Sequence, residues 1–230
     1  MNIADNPILT VNQKTLLAQF RASQLSGSFY LTGGTALSAI YLHHRLSEDV
    51  DFFTENDFAI EDILAFVKSL PGVQTTQYER KYDRRIFLLQ CANAPVMKVE
   101  FTRYPFARVE AGPLVDGVQI DSLQDILVNK LMAMTDRSDP KDYIDVYCAI
   151  RTRPQFDLEK LIDRTTVKFG VSGVRYILSG RFLQPPPRGV LSMLTQLDQE
   201  DTRLFLAPVI IKDCRKRAVS LRSVDKAMEH

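Results

Sequence analysis

The chain has 230 residues, 45% of them hydrophobic and 25% charged, and a formal net charge of +1. This length leaves room for one large domain or two small ones with ample core, and the near-neutral charge excludes a global basic field, so any nucleic-acid contact must come from a local patch. Three cysteines at wide spacing (Cys91, Cys148, Cys214) read as reduced thiols and exclude a disulfide framework or zinc site; with no signal peptide and no apolar run of spanning length, the expectation is a soluble, cytoplasmic chain without membrane contact.

The lead-in reads as a helix over 11–24, with Leu16, Leu17 and Phe20 on one face, and it carries no evident chemistry. Phe29-Tyr30-Leu31 is a short apolar run, expected as a buried strand. Gly33 and Gly34 then allow a sharp turn and close backbone approach to a ligand. From Thr35 the spacing of Ala36, Leu37, Ile40 and Tyr41 predicts a helix with one apolar face. A glycine turn feeding a helix presents free N–H groups, which suit phosphate oxygens.

Downstream, Asp49-Val-Asp-Phe-Phe53 alternates, so a strand puts Asp49 and Asp51 on one face and Val50 and Phe52 on the other. Two adjacent carboxylates repel unless a cation lies between them; in phosphoryl and nucleotidyl transfer that cation is typically Mg²⁺, often as a pair roughly 3.5–4 Å apart. Alone, Gly-Gly is usually just a turn and Asp-x-Asp a solvated strand face. Their order and separation here make the combined signal far more specific.

The run Leu31-Thr-Gly-Gly-Thr-Ala-Leu37 with Arg45-Leu-Ser-Glu-Asp-Val-Asp-Phe52 resembles the nucleotidyltransferase toxins of the AbiEii/AbiGii abortive-infection kind, a branch of the DNA polymerase β-like superfamily. The resemblance extends to about residue 150. It implies a small mixed sheet with helices, a helical C-terminal region, and transfer of a nucleoside monophosphate from an NTP. Some relatives modify tRNA and block translation, and an antitoxin partner is often encoded next door.

After the aspartate pair, Ile60, Ile63, Leu64 and Val67 predict an amphipathic helix that stops at Pro71-Gly72. Residues 73–80, 84–91 and 96–103 read as three successive strands of a hairpin-like sheet. In the third, Lys98, Glu100 and Thr102 share one face and Met97, Val99 and Phe101 the other. Polymerase β-like sites use a third carboxylate from a neighbouring strand, and the resemblance makes Glu100 its candidate, as metal ligand and proton acceptor. An ordinary cross-strand pairing of Glu100 with a Lys or Arg is the equal alternative. Arg84 and Arg85 point either to triphosphate or RNA, or to a solvated strand face.

Residues 104–121 form a connector rich in Pro and Gly, which places a domain boundary near 120: a nucleotidyltransferase core over 1–120 and a helical domain over 121–230. Over 122–135, Leu123, Ile126, Leu127, Leu131 and Met134 make an apolar helical stripe, and Lys130 falls on it. A buried ammonium requires an anion, either a phosphate or a carboxylate, unless the side chain reaches water. Lys130-Leu-Met-Ala-Met-Thr135 is also similar to the family's Lys-x-x-x-x-Thr/Ser motif, whose lysine contacts nucleotide phosphates. Asp139 before Pro140 predicts an N-cap and a helix. Within it, Lys141 and Asp145 either simply pair or, by the resemblance of Arg137…Lys141-Asp142-x-x-Asp145 to a later family motif, line the cleft, with Asp145 orienting a lysine or the nucleoside. Arg137 reads either as a phosphate contact or as a helix C-terminal cation.

Asp157 is expected to cap a helix to Phe169, and another is expected over 172–180. Pro185-Pro-Pro187 is a rigid break, followed by helical patterns over 191–197 and 202–221. Lys212, Arg215, Lys216, Arg217 and Arg222 form the densest basic cluster, either a solvated helix face or an RNA-backbone contact. His43 and His44 show no metal-ligand spacing.

The expected fold is an α/β (α+β) polymerase β-like nucleotidyltransferase core with a small mixed sheet, followed by an α-helical C-terminal region. Asp49, Asp51 and Glu100 would hold Mg²⁺; Gly33, Gly34 and Thr35 would cradle the β/γ-phosphates; Lys130 would neutralise developing charge. Arg45 and Ser47 would bond the triphosphate or brace the aspartate strand. The expected substrates are an NTP and a tRNA or other RNA acceptor. The rivals are a small-molecule, aminoglycoside-like transferase and a catalytically idle binding module.

Overall fold

The structure, a computed structural model, describes residues 2–183 and 192–194; the expected helices over 191–197 and 202–221 and the basic cluster at 212–222 lie outside them, apart from that short stretch. The described residues divide into two compact units within one helix, after Leu127, and residues 192–194 belong with the first.

The first unit is built on a five-stranded mixed sheet. Helix α1 (Val11–Ala22) opens with a capping box, in which the Thr10 hydroxyl accepts from the Gln13 N–H and the Gln13 side chain accepts from the Thr10 N–H. Its Leu16, Leu17 and Phe20 are buried, as the spacing predicts. Strand β1 (Tyr30–Thr32) leads into α2 (Gly33–Ala36), which widens into a π-helical turn over Leu37–Leu42 and ends at His43 in the left-handed conformation. The helix thus opens at Gly33, two residues before its expected start at Thr35. Then follow β2 (Val50–Thr54), α3 (Ile60–Ser69), β3 (Val73–Lys81), β4 (Arg84–Cys91) and β5 (Met97–Arg103).

The strand order is β1-β2-β5-β4-β3. β3, β4 and β5 form the expected antiparallel meander, but β5 then lies parallel to β2, with Asp51 opposite Glu100 and Phe52 opposite Phe101. Strand alternation therefore gives the sheet a polar face with Asp51 and Glu100, which also carries Phe53 against Tyr104 with ring centroids 4.7 Å apart, and an aromatic face. On the aromatic face Phe52 stacks between Phe20 of α1 and Phe101, with ring centroids 4.1 and 5.0 Å away, and Phe66 of α3 meets Phe101 edge-on. This packing fixes the strand register: a one-residue slip would bury the aspartates and expose the rings.

The connector contains a two-stranded hairpin, β6 (Leu114–Val115) and β7 (Val118–Gln119), turning at Asp116 and Gly117, both with positive φ. The residue pattern of the connector gives no sign of these strands, because two residues are too few to show a period. Beyond it, Asp121 is buried and accepts from the Thr32 hydroxyl at 2.7 Å. Helix α4 (Leu123–Asp136) spans the division between the units.

The second unit comprises the rest of α4 with α5 (Pro140–Thr152), α6 (Leu158–Phe169) and α7 (Val174–Leu183). Asp139 and Asp157 cap α5 and α6 as expected, accepting from the Lys141 and Lys160 N–H groups. α7 runs through Gly180 to Leu183 instead of ending near that glycine. Tyr143, Val146, Leu161, Ile162, Leu178 and Phe182 form its core.

Candidate active site

In the first unit the glycine turn and the aspartate strand are one interlocked piece. Gly33 has φ of 71°, and a Cβ there would overlap the Asp51 carboxylate. A Cβ on Gly34 would come within 2.7 Å of Arg45 Nη2 and 2.9 Å of Ser47 Oγ. Both glycines are thus required by close approach, Gly33 by its backbone conformation as well. The buried Thr35 hydroxyl donates to the Asp49 backbone carbonyl and ties the helix start to the strand start. Arg45 is buried, and its Nη1 donates to the Leu46 carbonyl at 2.9 Å.

Two contributors escaped the sequence reading. Gln13 donates from Nε2 to the Ser47 carbonyl at 2.7 Å, and Asn6 donates from Nδ2 to the Ala39 carbonyl in the π turn, also at 2.7 Å. The Thr10-x-x-Gln13 capping signature could have drawn attention to Gln13; nothing marks Asn6.

The carboxylates gather on the polar face of β2 and β5. Asp49 and Asp51 are partly exposed, whereas Glu100, beside Asp51 in the parallel register, is buried. Both Glu100 oxygens are engaged by Arg84, which donates from Nε and Nη2, and Thr102 adds a hydrogen bond at 2.8 Å. Burial pushes the Glu100 carboxyl up, but hydrogen bonding to Arg84, the Arg84 charge, Thr102 and Lys98 outweigh it, and the net pKa is below the usual carboxylate value. Arg84 is in turn held protonated by that hydrogen bond. The cross-strand Arg pairing weighed for Glu100 is therefore present. Lys98, on the same face, places Nζ 3.4 Å from Asp49 Oδ2 and 3.6 Å from Glu100 Oε2. Arg85 instead lies 5.5 Å from the Phe58 ring centroid and donates to the Tyr82 carbonyl.

Among the described residues no group of three or more His, Cys, Asp or Glu side chains could hold a metal unaided. The hard-oxygen pair Asp49 and Asp51 nevertheless fits Mg²⁺, which is commonly held by one or two carboxylates and completed by substrate phosphates and water.

The second unit carries its own charged cluster. Lys130 is 10% exposed and places Nζ 3.0 Å from Asp142 Oδ1 and 2.7 Å from Asp145 Oδ2, both carboxylates being buried. Arg137 reaches Asp142 Oδ2 at 2.9 Å. The anion beside Lys130 is thus a pair of aspartates one helix over, and Asp145 pairs with Lys130 rather than with Lys141. The Lys141 N–H is the donor to the Asp139 cap.

A family model described as the nucleotidyl transferase AbiEii toxin of a type IV toxin–antitoxin system matches residues 15–219. A protein of Aquifex aeolicus (strain VF5), described as uncharacterized protein aq_aa25, is 32% identical over 162 residues, covering 68% of this chain and 75% of that protein. Among solved structures, JHP933 from Helicobacter pylori is similar with a TM-score of 0.58 at 19% identity, over 93% of this chain and 95% of its own. A putative nucleotidyltransferase from H. pylori gives 0.60 at 20%, over 89% and 92%. MenT4, the nucleotidyltransferase toxin Rv2826c from Mycobacterium tuberculosis H37Rv, gives 0.52 at 14%, over 90% and 87%. At such identities the structures speak to the fold, the polymerase β-like nucleotidyltransferase fold expected from the motif. The family match extends from α1 through every strand and both charged clusters, and its members are enzymes that use an NTP, generally with a divalent metal, and have an antitoxin partner. This chain belongs to the AbiEii family of nucleotidyltransferase toxins.

Proposed function

We propose that the protein is an Mg²⁺-dependent transferase that moves a nucleoside monophosphate from an NTP to a hydroxyl of tRNA in the cytoplasm, as the toxin of a toxin–antitoxin or abortive-infection pair. The observation that carries this reading is the interlocking of the glycine turn with the aspartate strand. Gly33 lies against Asp51, and Thr35 holds the Asp49 backbone, so phosphate-facing N–H groups and paired carboxylates are built as one unit.

In the reaction the acceptor hydroxyl oxygen attacks the α-phosphorus, the bond to the bridging oxygen breaks, and pyrophosphate leaves. The backbone N–H groups at Gly33, Gly34 and Thr35 bind the β- and γ-phosphates, with Arg45 and Ser47 bracing the turn. Asp49 and Asp51 would hold the metal, which would supply charge neutralisation of the transferring phosphate. Glu100 provides the third carboxylate of the cluster. Arg84 holds Glu100 in its charged form, the form that can accept the proton of the attacking hydroxyl. Lys130, Lys141 and Asp145 enter as nucleotide contacts on the family motif alone.

The test is incubation of the pure protein with Mg²⁺, total tRNA and each labelled NTP in turn, beside Asp49→Ala. Label entering tRNA only with the unmodified protein supports the reading and gives the base preference. No label with any NTP removes tRNA as the acceptor and turns attention to small acceptors such as aminoglycosides.

A further inference from the structure

Lys98 sits among the carboxylates, and none of the roles above uses it. Alternation along β5 puts it on the face of Glu100, and its ammonium lies within 3.4 Å of Asp49 Oδ2 and 3.6 Å of Glu100 Oε2. Its side chain is 30% exposed, against 4% for Glu100, so it stands at the open side of the cluster. Two cations therefore serve these carboxylates in different ways. Arg84 grips Glu100 with two parallel hydrogen bonds, a geometry that resists exchange. Lys98 is a compact charge on a flexible stem at longer range, a geometry that permits it.

We propose that Lys98 is a placeholder cation. It balances Asp49 while no metal is present, gives up that carboxylate when a divalent cation binds, and then serves the nucleotide triphosphate. A dication on Asp49 repels an ammonium at the same oxygen, so both cannot keep it at this distance. The displaced ammonium needs a new anion, and the incoming triphosphate is the nearest chemical source of one. Metal bound without nucleotide leaves Lys98 only Glu100 at 3.6 Å, a carboxylate already gripped by Arg84, whereas metal bound with nucleotide adds the triphosphate. The device therefore couples the two ligands: each strengthens the other by the same factor. It works against idle metal loading and favours arrival of metal and NTP together.

The inference rests on Asp49 and Asp51 being the metal-binding pair, and the experiment separates the two claims. Mn²⁺ is titrated into nucleotide-free, full-length protein and followed by electron paramagnetic resonance, for the unmodified protein and for Lys98→Met, Lys98→Arg and Asp49→Asn. Circular dichroism confirms that each variant is folded, and Lys98→Gln substitutes if the Met variant is not. Lys98→Met is expected to bind Mn²⁺ at least about tenfold more tightly than the unmodified protein, because a repelling charge has gone. Lys98→Arg, which keeps the charge, is expected to show no such gain, and Asp49→Asn to lose binding. A non-hydrolysable NTP analogue is expected to raise Mn²⁺ affinity less in Lys98→Met than in the unmodified protein. Equal or weaker Mn²⁺ binding by folded Lys98→Met, with Asp49→Asn still defective, overturns the placeholder role and leaves the metal site standing. Mn²⁺ binding indifferent to Asp49→Asn overturns both.

Discussion

Lys130→Met tests how the second unit is held together. The substitution keeps the length of the side chain and removes its charge. Asp142 and Asp145, with side chains 1% and 0% exposed, then lose a cation at 3.0 and 2.7 Å. Arg137, with its own side chain 57% exposed, still reaches Asp142. Removing one partner of a buried pair while leaving the other charged costs about 3–5 kcal/mol. For a chain of this size each kcal/mol shifts Tm by roughly 2–4 °C, so the expected fall is about 6–20 °C. Thermal unfolding followed by circular dichroism reads it. The double variant Lys130→Met with Asp145→Asn should recover a substantial part of the loss, because a neutral amide beside the methionine costs less to bury than a carboxylate that has lost this cation. A Lys130→Met protein melting within about 1 °C of the unmodified one would refute the reasoning and leave a direct phosphate contact as the whole role of this lysine.

Gly33→Ala forces a side chain into a conformation with φ of 71° and against Asp51; a cost of about 1–2 kcal/mol in stability and loss of transferase activity are expected, measured by Tm and label transfer. Thr35→Val removes the hydroxyl that fixes the Asp49 carbonyl, and an increase in KM for NTP by about fivefold or more is expected from the loss of roughly 1 kcal/mol of hydrogen bonding. For Glu100 the folded-state pKa lies below its ordinary value of 4.5, so the unfolded chain takes up the proton first as pH falls. The stabilisation from its pairing with Arg84 is complete above the ordinary value and is lost as pH drops through the folded one. Arg84→Met should therefore lower stability at neutral pH and flatten its acid dependence, as followed by denaturant midpoints across a pH series.

Much of the architecture was legible because its periods are strong. The alternation in β2 and β5 separated Asp51 and Glu100 from Phe52 and Phe101, and burial of the rings confirms it. The Asp139-Pro140 start of α5 and the apolar stripe of α4 were equally plain, since capping and helical spacing are local. The π turn after Ala36 was not legible, because a helix widened by one residue per turn keeps nearly the same apolar pattern. Nor was the hairpin in the connector, whose register depends on a single tight turn. Among candidate site residues, the glycines and aspartates lie in the motif and alternation puts Lys98 on the face of Glu100, whereas Asn6, and Gln13 beyond its capping box, act through contacts that bridge long stretches of chain.

By itself the sequence determined which residues are turn, strand face and helix stripe, and that a glycine turn precedes paired carboxylates by one helix length. It also called for either an anion beside Lys130 or a path to water for its head, since an ammonium on an apolar stripe is too costly to leave uncompensated. Only the tertiary structure decided which anion, by laying α5 with Asp142 and Asp145 against that stripe. Only the tertiary structure set β5 parallel to β2, placed Glu100 beside Asp51, and gave Glu100 to Arg84 and Asp49 to Lys98. The physical reason is that periodicity is dictated by each residue's near neighbours, whereas charge pairing depends on strand order. Strand order is set by the burial of all the aromatic rings together.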